Sequence, residues 1–315
     1  MNEVIQVEKL TKIYPIDKGR PPLYAVDGVD FTVHQGEVFG FLGPNGAGKT
    51  TTIRMLTGLA RPTSGKAHLL SLDLAHDISR IKKQIGVVPE ASNLYDELTA
   101  FDNLVFAMQL YGVPRQERKS RAEALLDRFR LSEKRDAPFA KLSRGMKRAL
   151  TIAAALAHRP PLIFLDEPTT GLDVMSARSL RQMISGLRNE GVTVFLTTHY
   201  LEEAERLCDR IAILVKGRIV ALDRVAQLKA LAQEAPVVEV SLRDASGQVQ
   251  VRRVETPNGV DGAVRQALQQ AQGYEILKID TLQPSLEDVF IKLTGLSAEA
   301  MLAEKGGKGG GNASG

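Results

Sequence analysis

The sequence predicts an α/β protein, a mixed sheet covered by helices, and three observations carry that prediction. The first is Gly43-Pro44-Asn45-Gly46-Ala47-Gly48-Lys49-Thr50, which lies between the apolar run Glu37–Leu42 and the helical stretch Thr51–Gly58. It fits G-x-x-x-x-G-K-[ST], and strand, glycine-rich loop and helix are the setting of a phosphate-binding P-loop. The second is a pair of continuous apolar runs, Leu162–Leu165 and Val192–Leu196, as strands buried on both faces require. The third is helical periodicity over about residues 95–160, with α/β texture on either side. That pattern marks an inserted helical block.

The loop's chemistry follows from its residue types. Glycines let successive N–H groups point inward at phosphate oxygens, where a side chain would block the approach. The following helix adds the positive end of its dipole. Lys49 can reach the β- and γ-phosphates, and the Thr50 hydroxyl can bind Mg²⁺. The bland alternative is a chance glycine turn.

Composition bounds the rest. The chain has 315 residues, 43% of them hydrophobic, enough for one large domain and a smaller one. Net charge is +4, from 41 basic and 37 acidic residues that are interspersed. No basic block or aromatic-basic stripe stands out, so nucleic acid is not implied as a partner. The single cysteine, Cys208, excludes a disulfide framework within the chain and suits a reducing compartment. It falls in a predicted helix, Leu201–Asp209, as a small buried side chain. A membrane span needs about 20 apolar residues, and the longest apolar run, around Ala153–Ala157, is far shorter. The N-terminus has no signal-peptide pattern.

In chain order, Val4–Glu8 alternates as a strand, Pro15–Pro22 is a loop, and Val26–Val33 alternates again with Gly28 at a turn or bulge. Tyr14 ends the first strand, where it either stacks on a base or is simply a tyrosine at a sheet edge. Lys66–Leu72 reads as a strand, Ile78–Gln84 as a helix and Ile85–Glu90 as a strand entering a loop. Thr99–Asp102 resembles a capping box, followed by Phe101, Leu104, Val105 and Met108 at helical spacing. Gly112-Val113-Pro114 breaks that helix, and Gln116–Phe129 forms the next. Ser143 caps a helix running to His158, and Asp173 caps one starting at Val174. Ile211–Val215 and Arg218–Leu222 form a hairpin around Lys216-Gly217. From about Asp223 a small α+β unit follows: strands Val237–Leu242, Val249–Val254 and Glu275–Ile279, helices Asp261–Gln272 and Ser285–Thr294. The domains are thus 1–222, with a helical subdomain at about 95–160, then 223–297, then a glycine-rich flexible tail at 298–315.

The run Leu162–Leu165 delivers Asp166-Glu167 to a strand's C-terminal end, where α/β sheets bind ligands. Asp166 there can hold Mg²⁺, and Glu167 can polarise the water attacking a γ-phosphate. The alternative is a carboxylate pair capping the next helix. His199 follows the strand Val192–Leu196 and faces the same side; a lone histidine is more often structural than functional.

Together these pieces resemble the ATP-binding cassette (ABC) family, specifically transporter ATPase subunits, over residues 1 to about 222. The resemblance implies the P-loop NTPase fold of the ABC ATPase type and an ATP-hydrolysing enzyme using ATP and Mg²⁺. It implies that Tyr14 stacks on adenine and that Gly43 to Thr51 is Walker A: Gly43, Pro44, Asn45, Gly46, Ala47, Gly48, Lys49, Thr50 and Thr51. Leu162–Asp166 is then Walker B and Glu167 the catalytic carboxylate. Ser143, Gly145 and their neighbours resemble the signature motif, Gly171-Leu172-Asp173 the D-loop, and His199 the switch histidine. Metal ligands are then Thr50, Asp166 and Glu90. Two positions depart from the family pattern. Glu90 stands where glutamine is usual, adding negative charge near Asp166 and Glu167. The signature reads Leu142-Ser143-Arg144-Gly145-Met146 rather than Leu-Ser-Gly-Gly-Gln. The stretch Pro284–Gly295 resembles the tail of the drug-resistance branch, the daunorubicin-resistance-type ATPases. This implies a homodimer serving separate integral-membrane permease subunits of an exporter, peripheral on the cytoplasmic side of the inner membrane. Leu94, Tyr95, Leu98 and Phe101 are expected to form the docking groove; the alternative is that all four pack inward. The alternative class is a soluble ATP-driven switch of the same fold, not coupled to transport.

Overall fold

The first two strands are longer than their alternation implies. In the computed structural model, β1 (Glu3–Tyr14) pairs antiparallel with β2 (Leu23–His34). Bulges hide half of each from the two-residue period. Lys9 sits at φ +47°, the register shifts on both sides of Leu10, and Gly28 takes φ +62° within β2. The structure describes residues 2–15, 21–232, 237–255, 259–282 and 284–296. Most of the loop between these strands and the glycine-rich tail lie outside the described residues.

β3 (Val38–Leu42) leads through the glycine-rich loop into α1 (Lys49–Leu56). The single strand expected at Lys66–Leu72 is two, β4 (Ser64–Leu69) and β5 (Leu72–Asp73). Leu70 and Ser71 turn between them at φ +52° and +65°. That conformation is usually signalled by Gly or Asn, so the turn is silent in the sequence. α2 (Ile78–Lys82) and β6 (Ile85–Val88) follow.

The helical block contains α3 (Ala100–Leu110), α4 (Arg115–Arg128) and α5 (Arg144–Ala155). Thr99 caps α3 by accepting from Asp102 N–H at 3.0 Å. The Asp102 carboxylate turns to the Thr99 hydroxyl, 2.6 Å away, so the reciprocal half of a capping box is not made. Then come β7 (Leu162–Asp166), α6 (Val174–Asn189), β8 (Thr193–Thr198), α7 (Leu201–Leu207), β9 (Arg210–Val215) and β10 (Arg218–Arg224). Lys216 and Gly217 both take positive φ, as a two-residue hairpin turn demands.

These strands form two sheets, β2-β1-β4-β5 and β10-β9-β3-β8-β7-β6. In the second, β9, β3, β8, β7 and β6 run parallel. Every residue of β3, β7 and β8 is buried. Phe31 of β2 packs on Phe39 and Phe41 of β3 and Phe195 of β8, with ring centroids 5.6, 5.1 and 6.0 Å apart. This cluster joins the sheets, and each buried ring contributes at most about 3 kcal/mol. Gly40 makes room for Cys208: a Cβ there would lie 2.5 Å from the sulfur. Cys208 is buried as expected but is not helical. α7 ends at Leu207 and Cys208 is extended, because Asp209 N–H must donate to the Val38 carbonyl to start β9 beside β3.

The parallel register sets the site. Leu42 pairs with Thr198 and Asp166 with Thr197, so the ends of β3, β7 and β8 share one edge.

Among the described residues, the chain up to Asp223 forms one compact unit and residues 224–296 another. The second begins with α8 (Val225–Ala232), a helix the sequence reading passes over. It continues with β11 (Val237–Arg243), β12 (Val249–Glu255), α9 (Gly259–Gln270), β13 (Glu275–Leu282) and α10 (Leu286–Thr294). Its antiparallel sheet runs β12-β11-β13. Val238, Val240 and Leu242 alternate inward and pack with Ala263 and Ala267 of α9. Ser285 caps α10 in a full capping box with Asp288.

Gly43 follows β3 directly, and a Cβ there would lie 2.2 Å from the Leu214 carbonyl oxygen. β9 holds that carbonyl in place. Gly43→Ala is expected to lower folding stability by about 1–3 kcal/mol in urea denaturation. An unchanged midpoint would show that the loop relaxes freely.

Candidate active site

Two glycines shape the loop. Gly46 and Gly48 take φ +79° and +108°, and a Cβ on Gly48 would meet the Ala25 carbonyl at 2.3 Å. The turn brings Lys49, the first residue of α1, back under the loop. Its ammonium is buried and donates to the carbonyls of Gly43 at 2.6 Å and Pro44 at 3.2 Å. It also pairs with Glu167 Oε1 at 3.2 Å.

At the end of β7, Asp166 Oδ1 accepts from the hydroxyls of Thr50 at 3.2 Å and Thr197 at 2.6 Å. Glu167 then leaves the strand at φ +48°, a left-handed conformation that costs a non-glycine residue energy and concentrates at functional sites. Its N–H donates to Thr197 Oγ1 at 3.1 Å. Its second oxygen, Oε2, accepts from His199 Nδ1 at 2.7 Å and the Thr170 hydroxyl at 3.2 Å. One carboxylate is thus held between the loop lysine and the histidine that follows β8.

The two acids are tuned in opposite directions. Burial pushes the Asp166 carboxyl above its ordinary range, only partly offset by the two hydroxyls. Burial also presses the Glu167 carboxyl upward, but the His199 hydrogen bond and the Lys49 charge outweigh it and hold Glu167 below its ordinary value. Glu167 is therefore a carboxylate at neutral pH, and the His199 nitrogen facing it is a donor.

Beneath both lies a buried arginine that sequence reading missed. Arg148, in the second turn of α5, donates to the carbonyls of Pro89, Glu90 (3.2 Å), Asp166 (2.6 Å) and Pro168 (2.9 Å). Ser92 adds a 2.8 Å hydroxyl contact with Thr151 one turn on. Also missed were Thr197, Thr170 and Glu203. Glu203 is buried and accepts from the Thr198 hydroxyl at 2.6 Å, beside His199. The signal for Arg148 was a charge leading into the apolar run of a helix; for Thr197, its place at a buried strand's end.

The other expected site residues lie apart from this cluster. Tyr14 ends β1, half-buried, with the Lys12 ammonium 5.0 Å from its ring centre. Ser143 is exposed, its hydroxyl capping α5 at Met146 N–H. Gly145 backs onto α6: a Cβ there would lie 2.6 Å from Ser176 Oγ. Arg144 donates to the Gly171 carbonyl at 2.8 Å, joining the signature stretch to the D-loop stretch. The Glu90 side chain is exposed. Tyr95 is exposed, while Leu94, Leu98 and Phe101 are half-buried. Asn103 holds that segment, accepting from Tyr95 N–H and donating to the carbonyls of Tyr95, Leu98 and Thr99.

A family model described as ABC transporter matches residues 26–170. The chain is 35% identical to the linearmycin resistance ATP-binding protein LnrL of Bacillus subtilis (strain 168), over 93% of its own length and 98% of the relative's. The chain belongs to the ABC transporter family. This ABC protein is also 34% identical to the daunorubicin/doxorubicin resistance ATP-binding protein DrrA of Streptomyces peucetius, over 96% of this chain and 95% of that one. It spans about a third, 34%, of the longer ABC transporter A family member 4 of Arabidopsis thaliana, at 36% identity. Among solved structures it resembles an ATP-binding cassette captured as a dimer after hydrolysis, bound to ADP and Pi. The TM-score is 0.64 and the identity 27%, over 70% of this chain and 98% of that one. The ABC ATPase fold expected from sequence is thus the observed one, and the protein is the ATP-hydrolysing subunit of an ABC transporter. Among the described residues no helix is long and apolar enough to cross a membrane.

The opposite tuning of the two acids has a measurable sign. Glu167, depressed in the fold, adds stability above its ordinary value of 4.5 that is lost as pH falls through its folded pKa. Asp166, raised in the fold, costs stability above its ordinary 3.8, and the cost relaxes as pH falls. In a chelating buffer without nucleotide, Glu167→Gln is expected to lower the urea midpoint at pH 7, and Asp166→Asn to raise it. The Asp166 difference closes as pH falls toward 3.8, and the Glu167 difference begins to close only below 4.5; pH-independent differences would contradict the tuning.

Proposed function

We propose that this subunit powers export by closing as a homodimer on two ATP molecules and reopening when they are hydrolysed. The observation that carries the reading is the Lys49–Glu167–His199 cluster beside Asp166 and Thr50. Its donors and acceptors are those that a triphosphate and an attacking water require. Gly43 to Thr51 receive the phosphates, and Tyr14 takes the base. Lys49 is now satisfied by two carbonyls and Glu167; oxyanions of the β- and γ-phosphates are stronger acceptors and draw the ammonium away. That movement removes one cause of Glu167's depressed pKa, so the carboxylate becomes a better base when substrate is bound. His199 keeps its other oxygen oriented. Water then attacks the γ-phosphorus, its proton passes to Glu167, and the bond to the ADP oxygen breaks, leaving ADP and phosphate.

Thr50 and Asp166 suit Mg²⁺: a hydroxyl and one carboxylate oxygen lie 3.2 Å apart, the oxygen donors such an ion takes. The ion would neutralise developing phosphate charge there. Glu90 is the third proposed ligand.

Ser143 and Gly145 are exposed or half-buried at the start of α5, so they complete the site of a second copy, closing on its γ-phosphate in a two-fold arrangement. The partners in transport are separate integral-membrane subunits, which would place the protein on the cytoplasmic face of the inner membrane. Tyr95 offers them an exposed aromatic, and an open groove with Phe101 and Val105 on its floor lies beside Arg115, Arg118 and Arg135. The relatives named for drug resistance support export as the direction.

Glu167→Gln is expected to lower kcat by about 10²–10⁴ and to accumulate a dimer with ATP in light scattering. Wild-type turnover in that variant would remove Glu167 from the mechanism. Tyr95→Asp is expected to reduce recovery of a multi-spanning partner in a mild-detergent pull-down while leaving ATP binding intact. Full recovery would move the docking surface elsewhere.

A further inference from the structure

At the opposite end of β7 and β8 from the ATP residues lies a cavity of about 470 Å³. Its walls come from α4 of the helical block, the turn after α5, and the end of α6 with the turn into β8. β7 spans five residues, so the cavity is about 16 Å from Asp166 along the strand. It is separate from the site described above.

Its chemistry is two-sided. Leu125, Leu156 and Leu187 supply apolar wall, and Arg121, Arg128 and Arg159 supply three guanidinium groups against the single carboxylate of Glu190. Arg121 spends one nitrogen on the Ala157 carbonyl at 3.2 Å and another on Glu117. Arg128 pairs with Glu190 at 2.8 Å. The Arg159 side chain makes no hydrogen bond or ion pair among the described residues.

Arg159 also stands in a costly conformation. It follows α5 at φ +58°, its N–H donating to the Leu156 carbonyl at 2.9 Å. Glycine or asparagine normally fills such a left-handed position after a helix. An exposed arginine that lines a cavity, is kept there against backbone preference and lacks a partner among the described residues points to a role for its charge.

We infer that this cavity binds an amphipathic organic anion, one carboxylate or sulfonate head on an apolar body. The head meets Arg159, with Arg121 and Arg128 flanking it; their planar donors suit such oxyanions. The body lies against the leucines. The volume falls in the range of small-molecule sites. The occupant touches both the helical block and the start of the catalytic strands. The inference does not depend on the export reading.

The probe is 1-anilinonaphthalene-8-sulfonate, an aromatic sulfonate whose fluorescence rises in apolar surroundings, titrated into the full chain. One saturable site per chain is expected, displaced by dodecanoate but not by equal inorganic phosphate or by MgATP. Arg159→Gly relieves the strained backbone, so it should melt no lower than wild type yet bind the probe at least tenfold more weakly. Ala124→Phe, which fills the cavity and keeps every charge, should abolish the site. Wild-type affinity in both variants, or displacement of the probe by MgATP, overturns the inference.

Discussion

The buried guanidinium of Arg148 is the constraint on which the rest of the site depends. It bonds carbonyls from the loop after β6 and from the end of β7, while its own backbone belongs to the helix that Ser143 caps. One side chain therefore ties together three segments far apart in sequence. A buried charge is tolerated only when its donors are satisfied and its charge balanced. Burial lowers the Arg148 pKa, and the carboxylates of Asp166, Glu90, Glu203 and Glu167 oppose that shift. The charge of glutamate at position 90 helps balance Arg148, while it also adds to the upward push on the Asp166 carboxyl.

The remaining geometry follows from parallel strands. Because β3, β7 and β8 run the same way in close register, the phosphate loop, the acidic pair and the histidine must emerge at one edge. The site is then built from short connections rather than long side chains. Glu167 turns out of its strand at positive φ, which lets one carboxylate meet Lys49 with one oxygen and His199 with the other. The cluster's donors and acceptors are satisfied among themselves, and in the proposed function substrate reorganises them by offering Lys49 a stronger acceptor. Arg144 extends the same logic outward, tying the signature stretch to Gly171.

Much of this was legible in the sequence, and for identifiable reasons. Gly48-Lys49-Thr50 after an apolar run has few other physical uses, and Leu162–Asp166 announces a buried strand ending in charge. The caps at Ser143 and Asp173 appear where short polar residues precede helical periodicity. What was hidden depends on backbone or on distant partners. The bulges in β1 and β2 break the period that strands are recognised by. Leu70 and Ser71 turn without glycine. Arg148 looks like one more surface charge until the chain folds around it, and Cys208 leaves its helix only because β9 must begin. Thr197 and Glu203 acquire meaning through neighbours thirty or more and five residues away, which no local pattern encodes.

The central claim is that each ATP site is completed by a second copy, and mixing two inactive variants tests it most directly. Lys49→Ala disables the phosphate loop, and Ser143→Arg disables the signature stretch. In a mixed dimer one site pairs both defects, and the other pairs an intact loop with an intact signature. ATPase activity well above that of either variant alone is the expected result. Mixtures as inactive as the separate variants, with mixed dimers shown to form, would contradict completion in trans.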